Sequence, residues 1–185
     1  LNGMFAFAIY DRQKKALYLY RDRLGIKPLY VYYDGRNVAF ASELKALKLL
    51  KQIDLQINFN SVHAYLHLGY IPATQTIYKS VSKLSPGCYY KFSEKPKDSV
   101  QYWNAGNKIS EDVVTDEATA LTQLEELLTS SVRYQMKSDV PYGIFLSGGI
   151  DSSLVTAVAV EQSGDKVNTF SIGFQENEYN EAEHA

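Results

Sequence analysis

Ile144-Phe145-Leu146-Ser147-Gly148-Gly149-Ile150-Asp151-Ser152-Ser153 is the stretch on which the reading of this 185-residue chain turns. An apolar run breaks into a small-residue, acidic loop, and an amphipathic stretch from Leu154 to Gln162 follows. That order predicts a buried strand, a tight turn and a helix. Gly148 and Gly149 let a polyphosphate approach the backbone closely, and both tolerate positive φ. Ser147, Ser152 and Ser153 add hydroxyls, and the first amides of the following helix point at the same spot. The pattern is a phosphate cradle, but without the lysine of GxxxxGK[ST] loops. Asp151 stands where that motif carries positive charge. A carboxylate beside phosphates calls for a divalent cation between them, which implies Mg²⁺ bridged by Asp151 and the phosphates. A ligand-free glycine-rich turn is the plain alternative. SGGxDSS after a hydrophobic strand is too unusual a pattern to favour it.

Downstream, Ser163-Gly164 breaks the helix and Val167 to Ile172 reads as a second strand. Strand, helix, strand at this spacing implies a parallel, right-handed βαβ unit. Ligands in such sheets sit beyond the carboxyl ends of the strands, where Ser147 and Gly173 fall. Upstream, Thr115 or Asp116 can cap a helix whose apolar stripe is Leu121, Leu124, Leu128 and Val132. The polar stretch from Glu94 to Asp116, with Pro96 and Gly106, suits a linker, and Trp103 within it is expected to pack back on a domain.

From Met4 to Phe92 the pattern is mainly strands. Ala6 to Tyr10, Ala16 to Tyr20, Leu29 to Tyr33, Asn37 to Ala41 and Tyr89 to Phe92 are aromatic or β-branched enough. Asp34-Gly35 is a tight-turn pair between two of them. Glu43 to Leu50 and Ser61 to Leu68 have helical apolar spacing. Of 15 tyrosines, Tyr18, Tyr20, Tyr30, Tyr32 and Tyr33 cluster on predicted strands, where cross-strand packing explains them better than an aromatic cage. His63 and His67 have chelate spacing but no third ligand nearby, and are read as ordinary helix histidines. Arg21-Asp22-Arg23 is read as a turn anchor in preference to an anion clamp. Glu176, Glu178, Glu181 and Glu183 suit a solvated helix entry.

A net charge of −2 leaves no basic footprint for nucleic acid or an anionic membrane. One cysteine excludes an intramolecular disulfide framework, and no apolar run approaches the ~18 residues that span a bilayer. No targeting segment is evident. A cytoplasmic protein is expected.

SGGIDSS resembles the pyrophosphate-binding loop of the N-type ATP pyrophosphatases (PP-loop enzymes), which cleave ATP to AMP and pyrophosphate while adenylating a substrate. Leu1-Asn2-Gly3-Met4-Phe5-Ala6-Phe7-Ala8-Ile9-Tyr10-Asp11 and Arg21-Asp22-Arg23-Leu24-Gly25-Ile26-Lys27-Pro28-Leu29-Tyr30 look like the later part of a class II glutamine amidotransferase domain. Gly69-Tyr70-Ile71-Pro72, Leu84-Ser85-Pro86-Gly87 and Ser138-Asp139-Val140-Pro141-Tyr142-Gly143 also match, in order. Together they are similar to the glutamine-hydrolysing asparagine synthetase family, and the resemblance covers essentially the whole chain.

That resemblance implies an α+β fold, part of the αββα amidotransferase, followed by the α/β start of a Rossmann-like PP-loop domain. The corresponding parts are residues 1–104, a linker at 105–116, and residues 117–185. The chain is read as an internal piece of a longer protein. Class II amidotransferases use an N-terminal cysteine, and the sole cysteine here, Cys88, is internal. It is read as a buried small hydrophobe. No catalytic residue is therefore assigned in this chain.

The family's ATP site maps onto Phe145, Ser147, Gly148, Gly149, Asp151, Ser152, Ser153 and Ile172, with Mg²⁺ at Asp151. Phe145 and Ile172 stand where the family holds the nucleoside by backbone groups and apolar contact, and Phe145 departs from the expected aliphatic residue. The implied substrates are glutamine, aspartate and ATP, giving asparagine through a β-aspartyl-adenylate. A homodimer is left open for the full-length protein. Two other readings remain: a related PP-loop amidotransferase or cyclase that adenylates another carboxylate, and a nucleotide-binding regulator without chemistry.

Overall fold

The computed structural model of the chain describes residues 1–93, 98–108 and 113–173. It divides into two units, Leu1–Ile109 and Ser110–Ala185. The first contains β1 (Ala6–Asp11), β2 (Ala16–Arg21), β3 (Tyr30–Tyr33), β4 (Val38–Ala41), α1 (Leu44–Leu47), α2 (Phe59–Leu68), β5 (Val81–Lys83), β6 (Cys88–Phe92) and β7 (Asp98–Gln101). The strands form two antiparallel sheets, in the orders β1-β2-β6-β7 and β4-β3-β5.

Strand alternation decides the layers. Leu19 of β2 stands opposite Tyr90 of β6, and both turn inward with Phe92 and Cys88. Leu29, Val31 and Leu84 meet them from the side of the second sheet. Tyr33 of β3 and Phe92 of β6 touch across this interior, with ring centroids 5.4 Å apart. One residue along, Tyr32 points the other way and packs with Val81 and with Leu47 of α1, so a helical turn covers the far side of the second sheet.

Tyr18 and Tyr20 take the opposite face of the first sheet. Tyr20 stacks on Phe7 of β1 at 5.1 Å and on Tyr89 of β6 at 4.8 Å. These rings form a cross-strand ladder, the arrangement expected from alternation.

Local differences from the sequence reading have local causes. The helix expected over 43–50 is a single turn, Leu44–Leu47, because Glu43 makes no capping bond. The chain there tightens into i→i+3 bonds, such as Ala46 N to Glu43 O. Helix α2 starts two residues earlier than expected, because the Asn58 side chain accepts the Asn60 amide. Within the expected linker, Asp98–Gln101 is a strand on the edge of the first sheet. Trp103 does pack back, its amide donating to Gly87 O at 3.1 Å. Residues 94–97 and 109–112 of that linker, and the four C-terminal glutamates, lie outside the described residues.

The RDRLG turn is the organising joint of this unit. The buried Asp22 carboxylate accepts the amides of Phe5 (3.3 Å), Leu24 (3.1 Å), Ile26 (3.0 Å) and Lys27 (2.9 Å). Arg21 donates to three carbonyls, those of Lys27 (2.9 Å), Leu84 (2.6 Å) and Gly25 (2.6 Å). Burial works against the Asp22 charge, but the amide donors, led by Lys27, Ile26 and Phe5, outweigh it and hold the carboxyl below its ordinary range.

In the second unit the Asp116 side chain caps α3 (Glu117–Gln135), accepting the Thr119 amide at 2.8 Å. Then follow β8 (Gly143–Phe145), α4 (Ile150–Ser163) and β9 (Asn168–Phe170). Strands β8 and β9 pair in parallel, with Phe145 opposite Phe170. Gly164, with φ +65°, ends α4. Val132 of α3 packs on Val158 and Ala159 of α4, with Leu128, Val155 and Ile144 around them. The stripe expected on α3 is thus only half used, since Leu121 and Leu124 are exposed. Among the described residues no helix is long and apolar enough to cross a membrane.

Two outcomes follow from the first unit. Asp22→Asn keeps one acceptor but turns an amide group toward main-chain donors, and is expected to cost about 2–3 kcal/mol in denaturant unfolding. The depressed carboxyl stabilises the fold above its unfolded value of about 3.9, and that contribution is lost as pH falls through the lower folded value. The gap between wild type and Asp22→Asn should therefore narrow on acidification below about pH 4, and a gap independent of pH would contradict this account. Thr74, with φ +73°, occupies the third position of a Pro72–Gln75 turn closed by Gln75 N to Pro72 O at 3.2 Å. A β-branched residue is strained there, so Thr74→Gly should raise stability by about 1 kcal/mol.

Candidate nucleotide-phosphate site

Strand β8 delivers the loop. Ile144 faces the α3–α4 core, which turns Phe145 outward to 77% exposure. The ladder continues one residue further, with Leu146 N donating to Phe170 O at 2.9 Å. The Ser171 hydroxyl donates to Leu146 O at 2.7 Å, fixing the point where the chain leaves the sheet. Gly148 then reverses direction at φ +80°, a conformation that a side chain would strain.

Gly149 is a glycine for another reason. Its φ of −73° and ψ of 161° suit any residue. A Cβ there would meet only ordinary contacts, the nearest being the Ser147 hydroxyl at 3.5 Å. Neither the backbone nor packing by the described residues demands the missing side chain. The space is open to something outside the chain.

As the N-cap of α4, Gly149 also brings no side chain to the helix's first amides. Those of Ile150, Asp151 and Ser152 have no acceptor among the described residues. The Ser152 hydroxyl lies 3.1 Å from the Ser147 hydroxyl, receives the Ser147 amide at 3.3 Å and donates to Gly149 O at 3.1 Å. Ser153 follows, its amide making the first helical bond to Gly149 O at 3.0 Å.

The structure therefore brings Ser147, Gly148, Gly149, Asp151, Ser152 and Ser153 together around one turn. Asp151 is exposed on the first turn of α4. Ile172 lies two residues beyond β9, the strand that neighbours that of Phe145, and is 69% exposed. Two contributors were not foreseen. Phe170 stands in register with Phe145, and Ser171 ties the two strand ends together. Strand register and this cross-strand bond have no signal in local sequence.

A polyphosphate fits this turn through open amides, hydroxyls and the space above Gly149. A metal would find one carboxylate, Asp151, and no group of three or more His, Cys, Asp or Glu residues exists among the described residues. That donor set suits Mg²⁺, which takes one or two carboxylates with phosphates and water, and not an all-protein cage. His63 and His67 join no metal-binding cluster among the described residues. Cys88 is buried, and burial pushes its thiol pKa up.

Residues 1–103 match the glutamine amidotransferase domain family, and residues 123–185 match asparagine synthase. The chain belongs to the glutamine amidotransferases, and within them to the glutamine-hydrolysing asparagine synthetase family. It is 36% identical to asparagine synthetase 1 of Bacillus subtilis, over 100% of this chain and 29% of that protein. Asparagine synthetase 3 of the same organism is 33% identical, over 96% of this chain and 29% of the relative. Asparagine synthetase B of Escherichia coli is 34% identical, over 90% and 25% respectively. The chain spans between 25% and 35% of the length of such curated relatives.

The two glycines make a discriminating pair. Gly149→Ala should change folding stability by no more than about 1 kcal/mol, the usual scale of an N-cap change, yet strongly weaken pyrophosphate binding. Gly148→Ala should cost about 1–2 kcal/mol of stability through its left-handed backbone. Denaturant unfolding and calorimetric titration with Mg-pyrophosphate, run on both variants, check this. A Gly149→Ala variant that binds normally would show that the open space serves no ligand.

Proposed function

We propose that this chain is part of an enzyme that makes asparagine from aspartate, ATP and glutamine, releasing AMP and pyrophosphate. The observation that carries the reading is the lysine-free SGGIDSS turn, with open amides at Ile150 to Ser152 and no side chain at Gly149, in a chain of asparagine synthetase kinship. Residues 1–104 belong to the amidotransferase part and 105–116 link it to the ATP pyrophosphatase part, 117–185, whose βαβ segment opens a Rossmann-like PP-loop domain. The complete enzyme works in the cytoplasm.

ATP lies with its pyrophosphate moiety on the turn formed by Ser147, Gly148, Gly149, Asp151, Ser152 and Ser153. Main-chain amides at a helix start are fixed donors for negative charge, so they stabilise pyrophosphate as it leaves. The nucleoside lies along the ends of β8 and β9, against Phe145 and Ile172. Their exposed side chains offer apolar surface there, and backbone contact does not depend on the aromatic character of Phe145. Asp151 holds Mg²⁺, which supplies charge neutralisation at the phosphates. Ammonia comes from glutamine hydrolysis at a separate centre, for which this chain contributes scaffold and no assigned catalytic group. The aspartate β-carboxylate attacks the α-phosphorus, pyrophosphate departs, and ammonia displaces AMP from the resulting acyl-adenylate.

The test uses the complete protein that carries this chain, with α-labelled ATP, aspartate and ammonia. Labelled AMP formed in an aspartate- and Mg²⁺-dependent manner is expected, and labelled ADP would reject the pyrophosphatase reading. AMP produced with another carboxylate but not aspartate would keep the mechanism and move the enzyme to a related amidotransferase or cyclase. ATP binding with no turnover would identify a regulator. Asp151→Asn should abolish ATP-dependent synthesis while glutamine hydrolysis largely survives, because the substitution alters only the phosphate side.

A further inference from the structure

The three hydroxyls of the turn are not equivalent. Ser147 and Ser152 are engaged with each other: Oγ to Oγ is 3.1 Å, and Ser152 Oγ also receives the Ser147 amide at 3.3 Å. Ser152 Oγ in addition donates to Gly149 O at 3.1 Å, and the Ser152 carbonyl receives the Thr156 hydroxyl at 2.7 Å. Ser152 thus joins the strand side of the Gly148 reversal, at Ser147, to its helix side, at Gly149, while Thr156 holds it from the next helical turn. The Ser153 hydroxyl makes no such bond among the described residues.

We infer that Ser152 is a positioning residue, a brace that fixes Ser147 against Gly149 and so sets the direction of the open amides, while Ser153 supplies the hydroxyl that contacts pyrophosphate directly. This rests on the pyrophosphate site proposed above. Three serines that would otherwise count as parallel ligands divide into a coupled pair that shapes the turn and one free donor. The chemical reasoning is one of cost. For Ser152 to donate to the ligand, its single hydroxyl proton must leave Gly149 O, the bond that ties the helix side of the turn, whereas Ser153 gives up none among the described residues. The pairing also fixes how substitutions combine. Groups that act through one shared bond couple, and groups with independent contacts to the same ligand add.

The experiment measures the Kd for inorganic pyrophosphate with Mg²⁺ by calorimetry on the complete protein, with thermal midpoints recorded for every variant. Ser152→Ala and Ser153→Ala should each weaken binding roughly five- to ten-fold, the scale of a neutral hydrogen bond. Ser152→Ala combined with Ser153→Ala should multiply these losses to about 25- to 100-fold. Ser147→Ala combined with Ser152→Ala should lose no more than Ser152→Ala alone, because the only bond of the Ser147 hydroxyl in the turn is to Ser152 Oγ, which that change already removes. Ser152→Thr keeps the hydroxyl and should restore binding to within about two-fold.

Multiplicative losses for Ser147 and Ser152, or unchanged affinity in Ser152→Ala, would overturn the brace while leaving the pyrophosphate site intact. Failure of the unmodified protein to bind pyrophosphate would overturn the site itself and the brace with it. Ser152→Thr as impaired as Ser152→Ala, at an unchanged thermal midpoint, would also count against the brace.

Discussion

The first unit depends on one buried carboxylate. Asp22 sits at the end of β2, where the chain must leave the first sheet, turn, and enter the second through Leu29 and β3. A turn with that many buried amides needs acceptors, and the interior of a β-sandwich offers few. Asp22 supplies them with its two oxygens, and Arg21 satisfies the carbonyls the same turn would otherwise strand. The charges are not paired with each other. Each is spent on main chain, which suits a carboxylate beyond the reach of bulk water. Because Arg21 also reaches Leu84 O, and Gly87 N donates to Asp22 O at 2.9 Å, the β5–β6 turn is registered by the same joint. Loss of the joint would unfasten both sheets at once.

Much of this was legible from residues alone, for identifiable reasons. Strands β1 to β4 and β6 could be read because their apolar and aromatic residues alternate with the pleat. The Asp34-Gly35 turn could be read because Asp34 can accept the following amides, and it accepts those of Arg36 at 2.9 Å and Asn37 at 2.7 Å. Strand β7 could not, because Asp98-Ser99-Val100-Gln101 has one apolar residue. It is an edge strand held by its backbone to β6, and main-chain pairing leaves no mark on composition. The helix over 43–50 was overread for the converse reason. Leu44, Leu47 and Leu50 have helical spacing, but Leu50 is half exposed and no cap defines a longer helix.

The candidate site was legible in its chemistry and not in its internal order. SGGxDSS tells which groups are present, because glycine, hydroxyl and carboxylate each have a distinct use beside a phosphate. It does not tell which serine bonds to which, since those bonds span a reversal whose geometry is set by Gly148 and by the strand end at Leu146. Nor could the sequence separate the two glycines. Gly148 is demanded by its own backbone and would be needed in any such turn. Gly149 is demanded by nothing among the described residues.

That asymmetry bears on what selection on such a turn can act upon. A residue whose absence of side chain the fold requires is conserved by stability alone, and its presence says little about a ligand. A residue whose Cβ the fold would accept, yet which is glycine, points outward to whatever fills the space. The same distinction holds among the charged groups. Asp22 is explained completely by the four amides it accepts, so it needs no ligand to account for it. Asp151 lies on the surface at the positive end of α4, where the helix dipole favours a carboxylate but no donor among the described residues uses it. Gly149 and Asp151, like the Ser153 hydroxyl, are positions in the turn for which the described residues give no account. The magnesium-bound polyphosphate proposed above would account for Gly149 and Asp151 together, the glycine clearing its approach and the carboxylate meeting its cation.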